Sequence, residues 1–142
     1  MPHDLLGELI RTAHLAERRL GQVVEGAGLT PAQFAVLSCL EDMGDLSHSE
    51  LARALRVRRQ GISRLLGEMV EIGLIERIGL GGRGRRNGQR ITEAGVSALD
   101  RARPAVVRAS RPSAMGLTAP ERDELARLLV QVRDRLDDEE LA

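Results

Sequence analysis

The sequence predicts a mainly α-helical fold with one small β-hairpin, and three observations lead to this prediction. At three places a Ser or Thr stands three residues before a Glu or Gln, which is the capping-box signature of a helix start. Two stretches with strand-like alternation, Leu74–Ile78 and Arg90–Thr92, flank a glycine-rich segment. Phe34 is the only aromatic residue among 142, so the core must be aliphatic, which suits packed helices.

The capping signals and the apolar repeats set the first two helices. The first is expected from Asp4 to Glu25, because apolar residues recur there at the three- and four-residue spacing of one helix face. The second starts at Pro31, where the missing N–H costs nothing, and ends at Met43. The apolar face of the first helix comprises Leu6, Leu9, Ile10, Ala13, Ala16, Leu20 and Val24. The predicted inward residues of the second are Phe34, Val36, Leu37 and Leu40.

Four further helices are predicted in the rest of the chain. The third and fourth are expected over Ser49–Leu55 and Arg59–Ile72. Proline removes a backbone hydrogen bond, so the fifth helix, which follows Thr92, must kink or break near Pro104 or Pro112. The last helix starts after its capping box. The predicted core residues of the fourth helix are Ile62, Leu65, Leu66 and Met69. In the last helix an apolar stripe is formed by Leu125, Leu128, Leu129, Val132 and Leu136.

The order of the middle elements predicts a winged helix-turn-helix. A short helix, a tight connection and a second helix are followed by a two-stranded hairpin. In this arrangement the second helix of the pair enters the major groove of DNA. The hairpin, or wing, reaches the neighbouring minor groove or the backbone. The predicted fold class therefore points to a DNA-binding lobe.

Charge is strongly segregated along a chain whose formal net charge is zero. The stretch from Arg53 to Arg90 holds ten arginines and three glutamates, a net charge of +7. The rest of the chain, with 11 basic and 18 acidic residues, carries −7. A local basic patch attracts a polyanion whatever the total charge is. Since this patch coincides with the predicted helix pair and hairpin, it favours DNA as the partner.

Five residues at the start of the fourth helix are the first candidates for contacts with DNA. Arg58 stands where a cap is expected and Arg59 follows it, although cations at a helix N-terminus oppose the macrodipole by about 0.3–1 kcal/mol each. Residues that are unfavourable for the helix itself are often kept for function. Contacts with phosphates or guanine edges would compensate for the unfavourable position of these arginines. Gln60, Ser63 and Arg64 share the outward face at helical spacing. The alternative is that Arg58 and Arg59 are solvated surface arginines.

Three arginines of the predicted wing, Arg83, Arg85 and Arg86, form the second group of candidates. Their side chains are long enough to reach a groove floor or adjacent phosphates. Narrow minor grooves attract arginine through their enhanced negative potential. The alternative is an exposed charge run on a flexible loop.

Together these residues resemble the MarR family of bacterial transcription regulators. The resemblance rests on ordered motifs between residues 29 and 95, and the helical flanks fit in length and order. The motifs are Leu29-Thr30-Pro31-Ala32-Gln33-Phe34, Glu50-Leu51-Ala52, Ile62-Ser63-Arg64-Leu65-Leu66, Gly73-Leu74-Ile75 with Arg77, and Arg85-Arg86 with Ile91-Thr92 and Gly95. The family's wing usually carries an aspartate two residues before the arginine that enters the minor groove. Gly84 stands at that position before Arg86, so this arginine lacks the usual carboxylate to orient it.

The resemblance implies a single MarR-like domain over residues 1–142. Residues 29–95 would form the winged helix-turn-helix lobe. Residues 1–28 and 96–142 would form a helical region in which the first and last helices of two chains pack into a homodimer. The implied function is a sequence-specific, ligand-responsive repressor that binds a pseudo-palindromic operator in double-stranded DNA.

The resemblance also implies a small-molecule effector. Family members often bind small, frequently anionic aromatic molecules between the dimer helices and the DNA-binding lobe. Arg11, His14 and Arg18 on the first helix are the candidates to meet such an anion. The alternative is that they are surface charges, and the sequence identifies no ligand.

Other chemistries find little support. Cys39, the single cysteine, lies in an apolar setting on the second helix, which raises a thiol pKa and favours a small core residue over a redox sensor. The three histidines show no paired spacing for zinc, and no catalytic set is visible, so neither a metal, a cofactor nor enzyme activity is expected. Gly79-x-Gly81-x-x-Gly84 satisfies the dinucleotide fingerprint but lacks the helix that must follow it.

The sequence also predicts where the protein is located, and it leaves two alternative functions open. No apolar run approaches the roughly 18–20 residues of a membrane span, and no signal-peptide pattern is present, so a cytoplasmic protein is expected. The first rival is a winged-helix protein-interaction module that uses acidic flanks such as residues 137–140 and binds little DNA. The second is a DNA-binding regulator in which Cys39 senses peroxide.

Overall fold

The computed structural model of the protein describes residues 4–79 and 88–140. Within these ranges the helices are α1 (Leu5–Glu25), α2 (Pro31–Met43), α3 (His48–Leu55), α4 (Arg59–Glu71), α5 (Glu93–Ala109) and α6 (Ala119–Glu140), with a 3-10 helix over Pro112–Met115. The strands are β1 (Leu46–Ser47), β2 (Ile75–Ile78) and β3 (Gly88–Ile91). The predicted class, mainly α with a small sheet, is confirmed. The chain divides into two compact units, residues 1–106 and residues 107–142.

All three predicted capping boxes form. At the start of α3 the N–H of Glu50 donates to the Ser47 hydroxyl at 3.1 Å, and the Glu50 carboxylate accepts from the Ser47 N–H at 3.1 Å. The same reciprocal pair of bonds forms at the Thr30 box before α2 and at the Thr118 box before α6. Because Ser47 is the cap, α3 begins at His48, one residue before its predicted start.

The sheet contains one strand that the sequence did not indicate. β3 is the central strand and pairs antiparallel with β2 on one side and with β1 on the other. In this register Gln89 lies opposite both Arg77 of β2 and Leu46 of β1. β1 has two residues, which is too short for an alternating pattern to be recognised. It joins the hairpin to the segment that leads directly into α3.

The aliphatic core of the first unit lies between α2, α3, α4, α5 and the sheet. The predicted inward residues of α2 and α4 are confirmed, with Phe34 and Leu65 partly buried against the core. Gln89 is a polar side chain inside this core, and neither atom of its amide has a hydrogen-bond partner in the described part of the chain. The largest fully buried side chains include Leu37, Leu51, Ile62, Leu66, Met69, Ile75 and Leu99.

The apolar face predicted for α1 is buried only at the C-terminal end of the helix. Val24 is fully buried and Leu20 packs against the core. Leu6 and Ile10, on the same predicted face, are more than half exposed. The core of the chain therefore covers the last turns of α1 and leaves an apolar stripe on the rest of the helix.

The predicted interruption near the two prolines falls at the second. α5 continues through Pro104 and ends at Ala109, and Pro112 then opens the 3-10 helix. In the second unit, α6 packs against this 3-10 helix. The described side chains of α6 are exposed or partly exposed. The leucines of its predicted apolar stripe are 40–46% exposed.

Candidate nucleic-acid interface

The connection between α3 and α4 presents the first turn of α4 at the surface. α3 ends at Leu55, and its C-cap residue Arg56 has a φ of 54°, in the left-handed region, which turns the chain sharply. The chain extends through Arg58, and α4 begins at Arg59. The inner face of α4 is anchored in the core by Ile62, Leu66 and Met69.

Every candidate residue of α4 and its cap lies at the surface. Arg58, Arg59, Gln60, Ser63 and Arg64 are all exposed. The residues between them that point inward are buried, so the exposed set shares the face of α4 that is turned away from the core. The sequence therefore predicted which face of this helix is free to meet a partner.

Arg58 occupies the N-cap position of α4 and makes no capping hydrogen bond with its side chain. Its backbone is extended, with φ −72° and ψ 140°, as that of a capping residue is. The first turn of α4 contains no acidic residue. The positive end of the helix dipole thus coincides with two guanidinium groups, an arrangement that attracts anions.

Ser63 connects the first turn of α4 to the start of α3. Its hydroxyl donates to the Arg59 carbonyl at 3.0 Å, and the same oxygen lies 3.4 Å from Nδ1 of His48. Burial, and then the charges of Arg59 and Arg77, lower the pKa of His48 below its ordinary value. Helical spacing carries no signal for this contact, because the two residues are 15 positions apart on different helices.

Arg90 and Arg64 of the basic stretch lie beside carboxylates. Arg90 of β3 donates from Nη2 to Oδ2 of Asp45 at 2.7 Å, and this hydrogen bond holds the pKa of Asp45 below its usual range. Arg64 lies 3.3 Å from the carboxylate of Glu68, and both side chains are largely exposed. The first pair ties β3 to the residue before β1. The second is an exposed pair that an incoming phosphate can replace at little cost.

Two other groups of predicted residues are placed differently. Arg83, Arg85 and Arg86, together with Gly84, lie outside the described residues. Arg11, His14 and Arg18 are exposed on α1. Nη2 of Arg11 already lies 2.6 Å from the Glu8 carboxylate.

Cys39 is partly buried rather than fully buried. Burial, and then the charge of Asp42, raise the pKa of its thiol. Its Sγ lies 3.7 Å from the sulfur of Met43. The thiolate is the form that reacts with peroxide, so this setting argues against the redox rival.

Two further properties are stated of residues 4–79 and 88–140 only. No helix in these ranges is long and apolar enough to cross a bilayer. No three His, Cys, Asp or Glu side chains in them are grouped as metal ligands.

Comparison with known proteins identifies relatives of the chain. The model of the MarR family matches residues 27–86. A protein of Thauera aromatica, described as a transcriptional regulator of the hcr operon, is 34% identical over 102 residues, which are 72% of this chain. The chain spans 61% of the length of that relative.

Solved structures are similar over nearly the whole chain. A MarR variant from E. coli, in complex with operator DNA, is 26% identical with a TM-score of 0.78 and covers 91% of this chain and 94% of its own. The regulator MOSR from M. tuberculosis, in complex with DNA, is 25% identical with a TM-score of 0.72 and covers 93% of this chain and 98% of its own. The motifs, the fold and these similarities agree: in sequence and in fold, the chain is similar to regulators of the MarR family.

Proposed function

We propose that this protein is a sequence-specific DNA-binding transcription regulator, which acts as a homodimer and represses transcription until a small molecule binds. The observation that carries the proposal is the exposed face of α4, where five polar and basic residues lie beside an uncapped helix N-terminus. α4 would lie in the major groove with Arg58, Arg59, Gln60, Ser63 and Arg64 toward phosphates and base edges. The two relatives solved in complex with DNA share this fold and support the proposal.

The wing arginines are proposed as a second set of contacts. Arg83, Arg85 and Arg86 lie in sequence between β2 and β3, and in a winged helix this part of the chain would reach the minor groove when α4 occupies the major groove. Gly84 leaves Arg86 without the usual aspartate two residues before it. The side chain of this arginine would then be ordered by the DNA itself, and its contribution to binding would depend on that contact.

The dimer would be built by residues 1–28 and 96–142, and residues 29–95 would form the DNA-binding lobe of a single MarR-like domain. Support comes from the large apolar side chains at the surface of the terminal helices, Leu5, Leu6, Ile10 and Leu15 on α1 and Leu125, Leu128, Leu129, Val130 and Leu136 on α6. A second chain is the partner that would remove this surface from water. Two α4 helices related by a twofold axis would enter successive major grooves about 34–36 Å apart.

The effector would be a small anion held at the basic side chains of α1. Arg11, His14 and Arg18 follow one face of the helix at three- and four-residue spacing. Arg11 already has Glu8 as its partner, so an anion would gain more from His14 and Arg18. The proposed activity is binding and not catalysis, and its place is the cytoplasm, where operator DNA is accessible.

The α4 assignment is tested with a DNA duplex that the protein itself selects from a random library. Arg59→Ala and Arg64→Ala should each weaken binding by about 1–3 kcal/mol, which fluorescence anisotropy measures directly. Arg101→Ala is the matched control, because Arg101 is also an exposed helical arginine but lies on α5. Unchanged affinity in both α4 variants would remove α4 as the reading helix.

The protein-interaction rival is separated by a simpler experiment. A gel shift with random duplex DNA at low salt should show binding, because phosphate contacts do not depend on sequence. A chain that shifts no duplex at any concentration would instead be an interaction module.

A further inference from the structure

α4 contains a glycine in its first turn that the fold does not explain. Gly61 is exposed, and glycine is less favourable in a helix than any residue except proline. We propose that the backbone of α4 comes closest to the floor of the major groove at Gly61, and that a side chain at this position would hold the helix away from the bases. This inference rests on the proposed DNA-binding function. It adds a positioning residue that acts through the absence of a side chain.

Neither the backbone nor the packing of the free protein requires glycine at this position. Gly61 lies inside a helix, whereas Gly28 and Gly73 have φ values of 77° and 82°, which favour glycine. A Cβ atom on Gly61 would meet nothing within 4 Å among the residues that the structure describes. Gly95 of α5 is different, because a Cβ there would lie 2.2 Å from the carbonyl oxygen of Leu74. The free protein therefore has room for a side chain at Gly61.

Glycine is also unfavourable for the start of α4. Gly61 stands three residues after the cap, where Gln33, Glu50 and Glu121 complete the capping boxes of α2, α3 and α6. Glycine has no side chain for that hydrogen bond, and it loses more backbone freedom on folding than alanine does. A residue that lowers stability and is not required by packing indicates a function at an exposed position. Glycine is the residue that permits a backbone to approach a partner closely.

Gly61 lies among the α4 residues that are proposed to contact DNA. It follows Gln60 and is three residues from both Arg58 and Arg64, and all of these residues are exposed. The N-terminal residues of a recognition helix are the ones that contact base edges. The glutamine side chain is shorter than that of arginine, so Gln60 reaches a base edge only if the backbone beside it is close to the groove floor. A bare backbone at Gly61 permits that approach.

The test compares substitutions at Gly61 with the same substitutions at Gly67. Gly67 is a second glycine of α4, and a Cβ there also meets nothing within 4 Å in the described part of the chain. It lies about 9 Å further along the helix, beyond the first turn that would enter the groove. Gly61→Ala and Gly67→Ala should each raise the unfolding temperature by about 1–4 °C, because alanine favours the helix.

Affinity for DNA should separate the two positions. For the duplex that the protein selects from a random library, Gly61→Ala should weaken binding by about fivefold and Gly61→Leu by about 50-fold, because atoms are forced into a space that the DNA occupies. Gly67→Ala and Gly67→Leu should bind that duplex as tightly as the natural protein does. A random-sequence duplex is bound through its phosphates, so Gly61→Leu should change that affinity by less than about threefold.

Four results would contradict the inference while the proposed function stands. If Gly61→Leu binds the selected duplex as tightly as the natural protein does, or if Gly67→Leu loses as much affinity, α4 does not come closest to the bases at Gly61. If Gly61→Leu lowers the mass measured by light scattering, the space beside Gly61 belongs to a second chain. A fall in the unfolding temperature of Gly61→Ala would show that the fold itself requires glycine. If the natural protein binds no duplex, the proposed function fails, and this inference fails with it.

Discussion

Arg58 is unfavourable for the stability of α4 but is proposed to contribute to DNA binding. It occupies an N-cap with the correct backbone conformation but makes no capping bond. Ser47 and Thr30, at the caps of neighbouring helices, make both bonds of a capping box. The start of α4 is therefore less stable than its backbone allows, and a contact with DNA is the compensation that we propose.

Arg58→Ser should separate these two effects. A serine cap typically adds about 1 kcal/mol to the stability of a helix, so the free energy of unfolding should increase. Affinity for DNA should fall at the same time, because a cation near the phosphates is lost. Chemical denaturation and anisotropy measure the two quantities. An Arg58→Ser protein that binds DNA as well as the natural one would show that Arg58 has no role in binding.

The exposure of Ser63 could be predicted from the sequence, but its contacts could not. Helical spacing correctly predicted that Ser63 is exposed on the outer face of α4. It did not indicate that the hydroxyl hydrogen is used on the Arg59 carbonyl, or that His48 lies beside it. Contacts of this kind depend on how α3 and α4 pack, and residue spacing along one helix carries no signal for them.

At the scale of elements, α5 is held against the β2–β3 hairpin by a close backbone approach. A Cβ atom on Gly95 would lie 2.2 Å from the carbonyl oxygen of Leu74 and 2.8 Å from the side chain of Ile91. Glycine is therefore required in the first turn of α5. This contact sets the position of the hairpin relative to the core.

Gly95→Ala should destabilise the protein, because the clash is with backbone and cannot be relieved by a rotamer change. We expect a loss of about 1–3 kcal/mol or more, measured by thermal or denaturant unfolding. Gly67→Ala is the matched control in α4, since a Cβ there meets nothing within 4 Å. That change should stabilise the helix by about 0.5–1 kcal/mol. Equal effects of the two substitutions would contradict the close approach.

Helices with capping boxes were predicted to within one residue at their starts, because a cap is a local signal. β1 was missed because its two residues are in a strand only through pairing with β3. The wing arginines, which lie outside the described residues, stay a prediction. On α1 the periodicity identified the apolar stripe but not what covers it, since Leu6 and Ile10 are exposed in the single chain.

At the scale of the whole molecule, the stripes on the terminal helices are the basis for the proposed dimer. α6 is 22 residues long, and its leucines remain 40–46% exposed. A monomer would leave this apolar surface in water. Two copies of the chain would bury it and would also supply two α4 helices for one operator.

Leu125→Asp combined with Leu129→Asp should convert the dimer to a monomer, because two charges would be buried at the interface without partners. Light scattering after size exclusion measures the mass, and circular dichroism checks that the helices remain. Gln131→Asp adds a charge to the same helix without removing a leucine, and this control should stay dimeric. A double variant of unchanged mass would refute the assignment of α6 to the interface.

The arginines between residues 53 and 90 are proposed to bind a duplex although the chain has no net charge. The most direct test is the dependence of DNA affinity on salt concentration. If about eight phosphates are neutralised per dimer, log K should fall with log[salt] at a slope near −7. A slope near zero would show that binding releases no counterions, and the basic patch would then have no part in DNA binding.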